Sequence, residues 1–423
     1  MGPIPTDWEV RSLVEVLNKG RLGGNYPNQL SETDYPLIKM GNIARGYIDT
    51  KKVEYIRRGV IPEQQHRLAR GDLLFNTRNT LDLVGKVAIW RDELPLAYYN
   101  SNLMRLEFDR QQVCSNEYAN AALNAYRAVN TLRGLATGTT SVAAIYTRDL
   151  LGMPFLVPPL TEQRAIAKAL SDVDALLGAL DRLIAKKRDL RQAAMQQLLT
   201  GQTRLPGFHR KWEARPLNTV IDELEAGVSV NSVEGDLNSD PERPAVLKTS
   251  SIAGGVFIPS ECKPIAARDL GRAKLSPAAE TVIISRMNTI ELVGECGYVP
   301  ADFPRLFVPD RLWMTRFKPG VEVSAKWLAF ILSTGRSRQL LRNIATGTSG
   351  SMKNISKGAF LGLQFEFPML DEQIAIASVL TDLDAELAAL EQRRDKTRAL
   401  KQSMMQELLT GRTRLVAPEP AHA

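Results

Sequence analysis

LTEQRAIAKALSDVDALLGALDRLIAKKRDLRQAAMQQLLTGQTRL runs from Leu160 to Leu205, and LDEQIAIASVLTDLDAELAALEQRRDKTRALKQSMMQELLTGRTRL runs from Leu370 to Leu415. The two stretches align without a gap at an offset of 210 residues and share 26 of 46 positions. A duplication on this scale sets the architecture before any local pattern is read. Each copy follows about 160 residues of different character. The chain therefore reads as two modules, each followed by a long repeated segment.

The repeated segments read as helices. In the first, Ile166, Leu170, Val173, Leu177, Leu180 and Ile184 step by 4, 3, 4, 3, 4. In the second, Ile376, Leu380, Leu383, Leu387 and Leu390 step the same way. This is the spacing of a coiled-coil seam. Thr161 and Asp371 are expected as N-caps, and Gly201 and Gly411 as left-handed C-terminal residues. Each helix should span roughly 40 residues, or about 60 Å. Alone, each would leave an apolar stripe in water, so the two are expected to pair. The first helix carries the chain to the second module and the second must return, which makes the pair antiparallel with a module at each end. Arg393 and Arg394 stand where the first copy has Leu183 and Ile184, so the seam is expected to weaken beyond Leu390.

The modules repeat more faintly. Trp8-Glu9 matches Trp212-Glu213, Ile38-Lys39 matches Leu247-Lys248, and Ile43-Ala44 matches Ile252-Ala253. NTRNTLDLVG (Asn76 to Gly85) matches SRMNTIELVG (Ser285 to Gly294), and Ala136-Thr137-Gly138-Thr139 matches Ala345-Thr346-Gly347-Thr348. Short β-former runs (DLLFNTR, KVAIW, NLMRLEF, TVIISRM, LWMTRF) mix with helical periodicity in NEYANAALNAYRAV and AKWLAFILSTGRSRQLL, so each module reads as α+β. The expected organisation is a globular domain at 1–157, a helical spacer at 158–206, a second globular domain at 207–367, a second helical spacer at 368–415 and a disordered tail at 416–423. The fold class is α+β: two globular domains of similar fold separated by two long helices that pair as an antiparallel coiled coil, a pseudo-two-fold repeat.

Composition narrows the function. The net charge of +7 suits a polyanion partner, although a basic soluble protein needs none. Cys114, Cys262 and Cys296 are scattered and odd in number, which predicts a reducing cytoplasm and no disulfide framework. Three histidines at no metal-ligand spacing argue against a zinc site. No apolar run is long enough to span a membrane. ATGTTS and ATGTSG lack the lysine of a phosphate loop. No nucleophile motif and no asparagine-proline-proline-aromatic motif of amino-methyltransferases is present, so catalysis by this chain is not expected.

Specific motifs now stand in order. Pro159-Leu160-Thr161-Glu162-Gln163, echoed by Met369-Leu370-Asp371-Glu372-Gln373, opens a helix ending in LLTG (Leu198 to Gly201, Leu408 to Gly411). Ile4-Pro5-Thr6-Asp7-Trp8 introduces the first module, and Gly71 to Arg78 recurs in weaker form at Thr281 to Arg286. Over its whole length the chain resembles the DNA-specificity (S) subunit of Type I restriction-modification systems. The resemblance implies two target-recognition domains, each reading half of a bipartite asymmetric site in double-stranded DNA. It implies a helical pair that sets the spacer and docks two methyltransferase (M) subunits, which restriction/translocase (R) subunits join. No cofactor is then expected in this chain; S-adenosylmethionine, ATP and Mg are expected on the partner subunits. The competing readings are a self-contained DNA methyltransferase or endonuclease and a protein-only two-domain scaffold.

Candidate DNA-binding residues follow from side-chain chemistry. Asn76, Arg78 and Asn79, with Arg286 and Asn288 at the related place, suit base edges: arginine takes guanine and asparagine takes adenine in two-point contacts. A polar turn closing a strand is the alternative. Lys39 and Lys248 suit phosphate positioning. Thr139, Thr140 and Ser141, with Thr348, Ser349, Ser351 and Lys353, form hydroxyl-rich loops that either donate to DNA or cap the backbone locally. Trp8, Trp212, Trp90 and Tyr98-Tyr99 read as core.

Overall fold

The structure is a computed structural model that describes residues 4–138, 142–235, 240, 242–347 and 352–417. It resolves into two compact units, Met1–Arg182 with Glu391–Ala423, and Leu183–Leu390.

The first unit is built on a four-stranded antiparallel sheet in the order Leu17–Leu22, Leu103–Phe108, Leu73–Asn76, Val87–Ile89. Successive strand residues face opposite sides, and both sides are covered here. Leu73 and Phe75 enter the main core with Val87, Ile89, Leu106 and Phe108. Leu74, Ala88 and Leu103 enter a second core with Trp90 and Tyr99. That is why LLF reads as an unbroken apolar run. Helices Asn116–Leu123 and Tyr126–Leu135 cover the main-core side.

The second unit repeats this plan. Its strands Ile221–Ala226, Leu312–Phe317, Thr281–Ser285 and Cys296–Val299 follow the same antiparallel order, extended by Gly255–Phe257 and Ile252–Ala253. Val282 and Ile284 face one core and Ile283 the other. Helices Ala325–Leu332 and Gly335–Ile344 match the pair in the first unit. Each module was expected to carry one helical run at this place; each carries two helices. Asn124 ends the first of them, its amide donating to Asn120 O and Val87 O at 2.8 and 2.9 Å. In the second unit Thr334 caps the next helix by accepting from Ser337 N at 3.3 Å.

The long helices are Leu160–Leu198 and Leu370–Leu408. Thr161 and Asp371 lie inside the first turn rather than at the N-cap, because Pro159 O and Met369 O already accept from Gln163 N and Gln373 N at 3.0 Å. Gly201 and Gly411 take the expected left-handed conformation, with φ of 68° and 69°. Ile166, Leu170, Leu180, Ile184, Ile376 and Leu380 are buried. Val173, Leu177, Leu383, Leu387 and Leu390 are less deeply covered.

The pairing is antiparallel within each unit. In the first, Asp174 meets Lys401 and Asp181 meets Arg394. In the second, Glu386 meets Lys187 and Asp384 meets Arg191. Asp174–Lys401 and Asp384–Arg191 are the same contact in the two copies of the repeat. The seam does not end at Leu390. It continues in the same steps through Arg394, Thr397, Lys401, Met404 and Leu408, with a polar character. Partly exposed pairs of this kind contribute only about 0.2–1 kcal/mol each, so they fix register more than they stabilise. The apolar halves contribute more, roughly 1.5–3 kcal/mol for each fully buried leucine or isoleucine.

Candidate nucleic-acid interface

The loop after the central strand has the same construction in both units. Gly85 N donates to Asn76 O at 2.9 Å, and Gly294 N donates to Ser285 O at 2.7 Å. Asn79 Oδ1 accepts from Thr80 N at 2.8 Å, as Asn288 Oδ1 does from Thr289 N at 2.9 Å. Both closing glycines have positive φ, 73° and 77°. A Cβ on Gly294 would sit 2.8 Å from Leu341 Cβ, so the helix packs directly on the loop's end.

Within this shared frame the candidate residues differ. Asn76 is fully buried, and its amide is engaged inside the loop with Leu83 O and Arg78 N, both at 3.3 Å. Arg78 is exposed, with no side-chain partner among the described residues. Its matched position in the second unit is Met287, and Arg286 falls one residue earlier. A one-residue shift along a strand changes the face. Arg286 accordingly lies over the Trp313 ring, 5.8 Å from its centroid, with Nε buried and unpaired. Asn288 donates to Ser285 Oγ at 3.3 Å.

By strand pairing the loop meets residues that follow the hydroxyl-rich stretch, far along the sequence. Asn79 pairs with Ala143 and Arg78 with Ala144; Asn288 pairs with Lys353. The Lys353 ammonium donates to Gly347 O at 2.6 Å. Thr139, Thr140, Ser141, Thr348, Ser349 and Ser351 lie outside the described residues. Lys39 and Lys248 stand apart from these loops in local bonding: each meets a carboxylate, Glu54 at 3.0 Å and Glu261 at 3.4 Å. Trp90, Tyr98 and Tyr99 are core residues.

Residue-level reading missed what the repeated Glu-Gln and Thr-Arg-Leu motifs do. In the first unit Glu162, with no exposed surface, accepts from Trp8 Nε1 at 2.9 Å and from Arg414 Nε at 2.6 Å. Arg414 also holds Asp7 through two bonds of 2.9 and 2.7 Å. That guanidinium keeps the Asp7 carboxyl below the usual carboxylate range. In the second unit Glu372 accepts from Trp212 Nε1 at 3.1 Å and from Arg204 at 2.6 and 2.7 Å. Gln163 and Gln373 fasten each helix start to its module, through Cys114 N at 3.1 Å and Ser324 N at 2.9 Å. Each helix start is thus clamped to the Thr-Arg-Leu end of the other copy of the repeat. The available signal was the repetition of tryptophan, glutamate and arginine together.

The two units share one loop construction and differ in the polar residues it carries. The sequence profile described as "Type I restriction modification DNA specificity domain" matches residues 5–186. The chain is 23% identical to the Type I restriction enzyme EcoKI specificity subunit of Escherichia coli (strain K12), across 96% of this chain and 89% of that one. Its fold is similar to a crystal structure of a Type I restriction-modification S subunit from M. genitalium, with a TM-score of 0.58, 14% identity and coverage of 96% and 97%. A second solved chain, from work on complex assembly and conformational transition of the Type I system, gives a TM-score of 0.55 at 16% identity, with coverage of 98% and 100%. The chain is thus similar to the Type I DNA specificity domain over residues 5–186 and, over nearly its full length, to Type I specificity subunits. Among the described residues no helix is long and apolar enough to cross a membrane.

Proposed function

We propose that this chain is the DNA-specificity subunit of a Type I restriction-modification complex, a non-catalytic part that supplies the address. Residues 1–157 and 207–367 are the two recognition domains, and 158–206 and 368–415 are the spacer helices, followed by a tail at 416–423. Each domain reads one half of a bipartite, asymmetric site in double-stranded DNA. Half-sites on the same face of the duplex lie about 34 Å apart per helical turn, and the helical pair sets that spacing. Two methyltransferase subunits dock on the helices, and restriction/translocase subunits complete the assembly. S-adenosylmethionine, ATP and Mg act on those partners, in the cytoplasm.

One observation carries the reading. The two loops close on matching backbone bonds, Gly85 N to Asn76 O and Gly294 N to Ser285 O, while the residues on them differ: Arg78 against Met287, Thr77 against Arg286. Equal frames with unequal surfaces suit a reader of two unlike half-sites. Arg78, Asn79, Arg286, Asn288 and Lys353 are the base-reading candidates, together with Thr139, Thr140, Ser141, Thr348, Ser349 and Ser351. Asn76 supports the loop from within, and Lys39 and Lys248 contribute to phosphate positioning. The test is to map methylated adenines in a host carrying this chain and its methyltransferase subunit. A two-part motif with a fixed gap is expected; marks confined to one continuous palindrome would overturn the proposal.

A further inference from the structure

Neither terminal nitrogen of Arg45 has a hydrogen-bond partner among the described residues, and both are turned away from solvent. Its turn is fixed beside the edge strand, where Gly46 N donates to Val87 O at 2.8 Å and Gly46 bridges Ala88. That places Arg45 next to Lys86. Helix Tyr126–Leu135 closes over the same corner, since a Cβ on Gly85 would lie 3.2 Å from Leu132 Cβ. Arg133, one residue on, is exposed there. Three cations therefore converge, and no carboxylate among the described residues pairs with any of them. Burial pushes the Arg45 guanidinium and the Lys86 ammonium below their ordinary values, and a cationic neighbour lowers each further, Arg133 for the first and Arg45 for the second.

The second unit shows that the fold does not require this arrangement. Alignment puts Gly254 at the place of Arg45, Glu295 at Lys86 and Arg342 at Arg133. There Glu295 accepts from Gly254 N at 2.9 Å and pairs with Arg338 at 3.0 Å. In the second unit a carboxylate enters this corner and pairs with an arginine; in the first no carboxylate among the described residues does so.

We propose that Arg45, Lys86 and Arg133 form an anion seat in the first recognition domain that takes one backbone phosphate of bound DNA beside the Asn76-to-Gly85 loop. The proposal rests on the specificity-subunit reading and adds a site to it. Lys86 and Arg133 attract the phosphate. Arg45 then swings outward without breaking a hydrogen bond and offers its two-nitrogen fork to the phosphate oxygens. Such a contact positions the domain and reads no sequence.

The test uses the full chain purified with its methyltransferase subunit and a duplex of arbitrary sequence several helical turns long, with affinity followed against salt concentration. The triple variant R45Q/K86Q/R133Q should bind about tenfold more weakly and lower the log–log salt slope by about one. Arg133→Gln alone, at an exposed position, should weaken binding about threefold. Arg57→Gln, an exposed arginine in the same unit, should leave both quantities unchanged. The triple variant should melt no lower than the wild type, since an unpaired buried charge is removed. Wild-type slope and affinity in the triple variant would overturn the seat while leaving the specificity reading intact. Loss of methyltransferase binding in its place would also overturn it and assign the cluster to a protein surface. Failure of the wild-type complex itself to bind DNA would remove the specificity reading.

Discussion

Glu162→Gln isolates the clamp that closes the first unit. The carboxylate has no exposed surface and receives the Trp8 indole and the Arg414 guanidinium. The amide that replaces it has the same shape and one acceptor oxygen, and it turns an NH₂ toward a cation or an indole N–H. Removing one partner of a buried pair costs about 3–5 kcal/mol. Arg414 keeps its two bonds to Asp7 and is partly exposed, so the lower end applies, about 3 kcal/mol. For a domain of roughly 200 residues this corresponds to a fall in Tm of about 6–12 °C. Thermal unfolding followed by tryptophan fluorescence reads the change, because Trp8 is part of the clamp. Limited trypsin digestion supplies a second readout: Arg412 and Arg414 should be cut earlier than in the wild type. A loss below about 0.5 kcal/mol, the size of an ordinary surface substitution, with an unchanged digestion pattern would refute the clamp.

Asp7 gives a pH signature. Its folded carboxyl is held below its unfolded value by Arg414, so its stabilising contribution is present above about pH 4 and is lost as pH falls through the lower folded value. Arg414→Gln should remove that share of the acid-induced loss, seen as a shallower stability profile below about pH 4. Burial raises the Cys296 thiol to about 12, and the side chain has no exposed surface. It should resist iodoacetamide at about pH 8, near the pKa of a free thiol, until the protein is denatured, as mass spectrometry of labelled peptides would show. Arg78→Ala should cost about 1–3 kcal/mol of discrimination at one base pair of one half-site, measured by binding to a panel of single-base variants. Inserting one heptad into both long helices between the apolar and polar parts of the seam should change the gap in the methylation motif and leave both half-site sequences unaltered.

The helices were legible because a 4–3 apolar step over five or six positions has few other readings, and the duplication confirms itself. Their antiparallel sense was legible from chain order alone. Strands such as Leu73–Asn76 and Thr281–Ser285 stood out because they are covered on both sides and so carry uninterrupted apolar runs. The continuation of the seam past Leu390 was hidden, since Arg394 and Lys401 occupy apolar positions with long stems and reach Asp181 and Asp174 with their charged ends. The break at Asn124 was hidden by the alanines around it, which favour helix on both sides. At the candidate interface, the placement of Arg78 and Arg286 on different faces depends on a single residue of register. The engagement of Asn76 inside its loop depends on contacts that no local pattern encodes. The Glu162 clamp joins residues 252 positions apart, a pairing visible only once the helices are folded back.

The first unit is assembled from Met1–Arg182 and Glu391–Ala423, whereas the second is one continuous stretch, Leu183–Leu390. On the ribosome this sets an order. The later-made unit has all its parts once Leu390 has emerged, while the earlier-made one still lacks the helical strap that carries Arg414. A nascent chain therefore holds Trp8 and Glu162 without their cation until Arg414 has emerged, and any product cut short before residue 414 leaves its first domain unclosed.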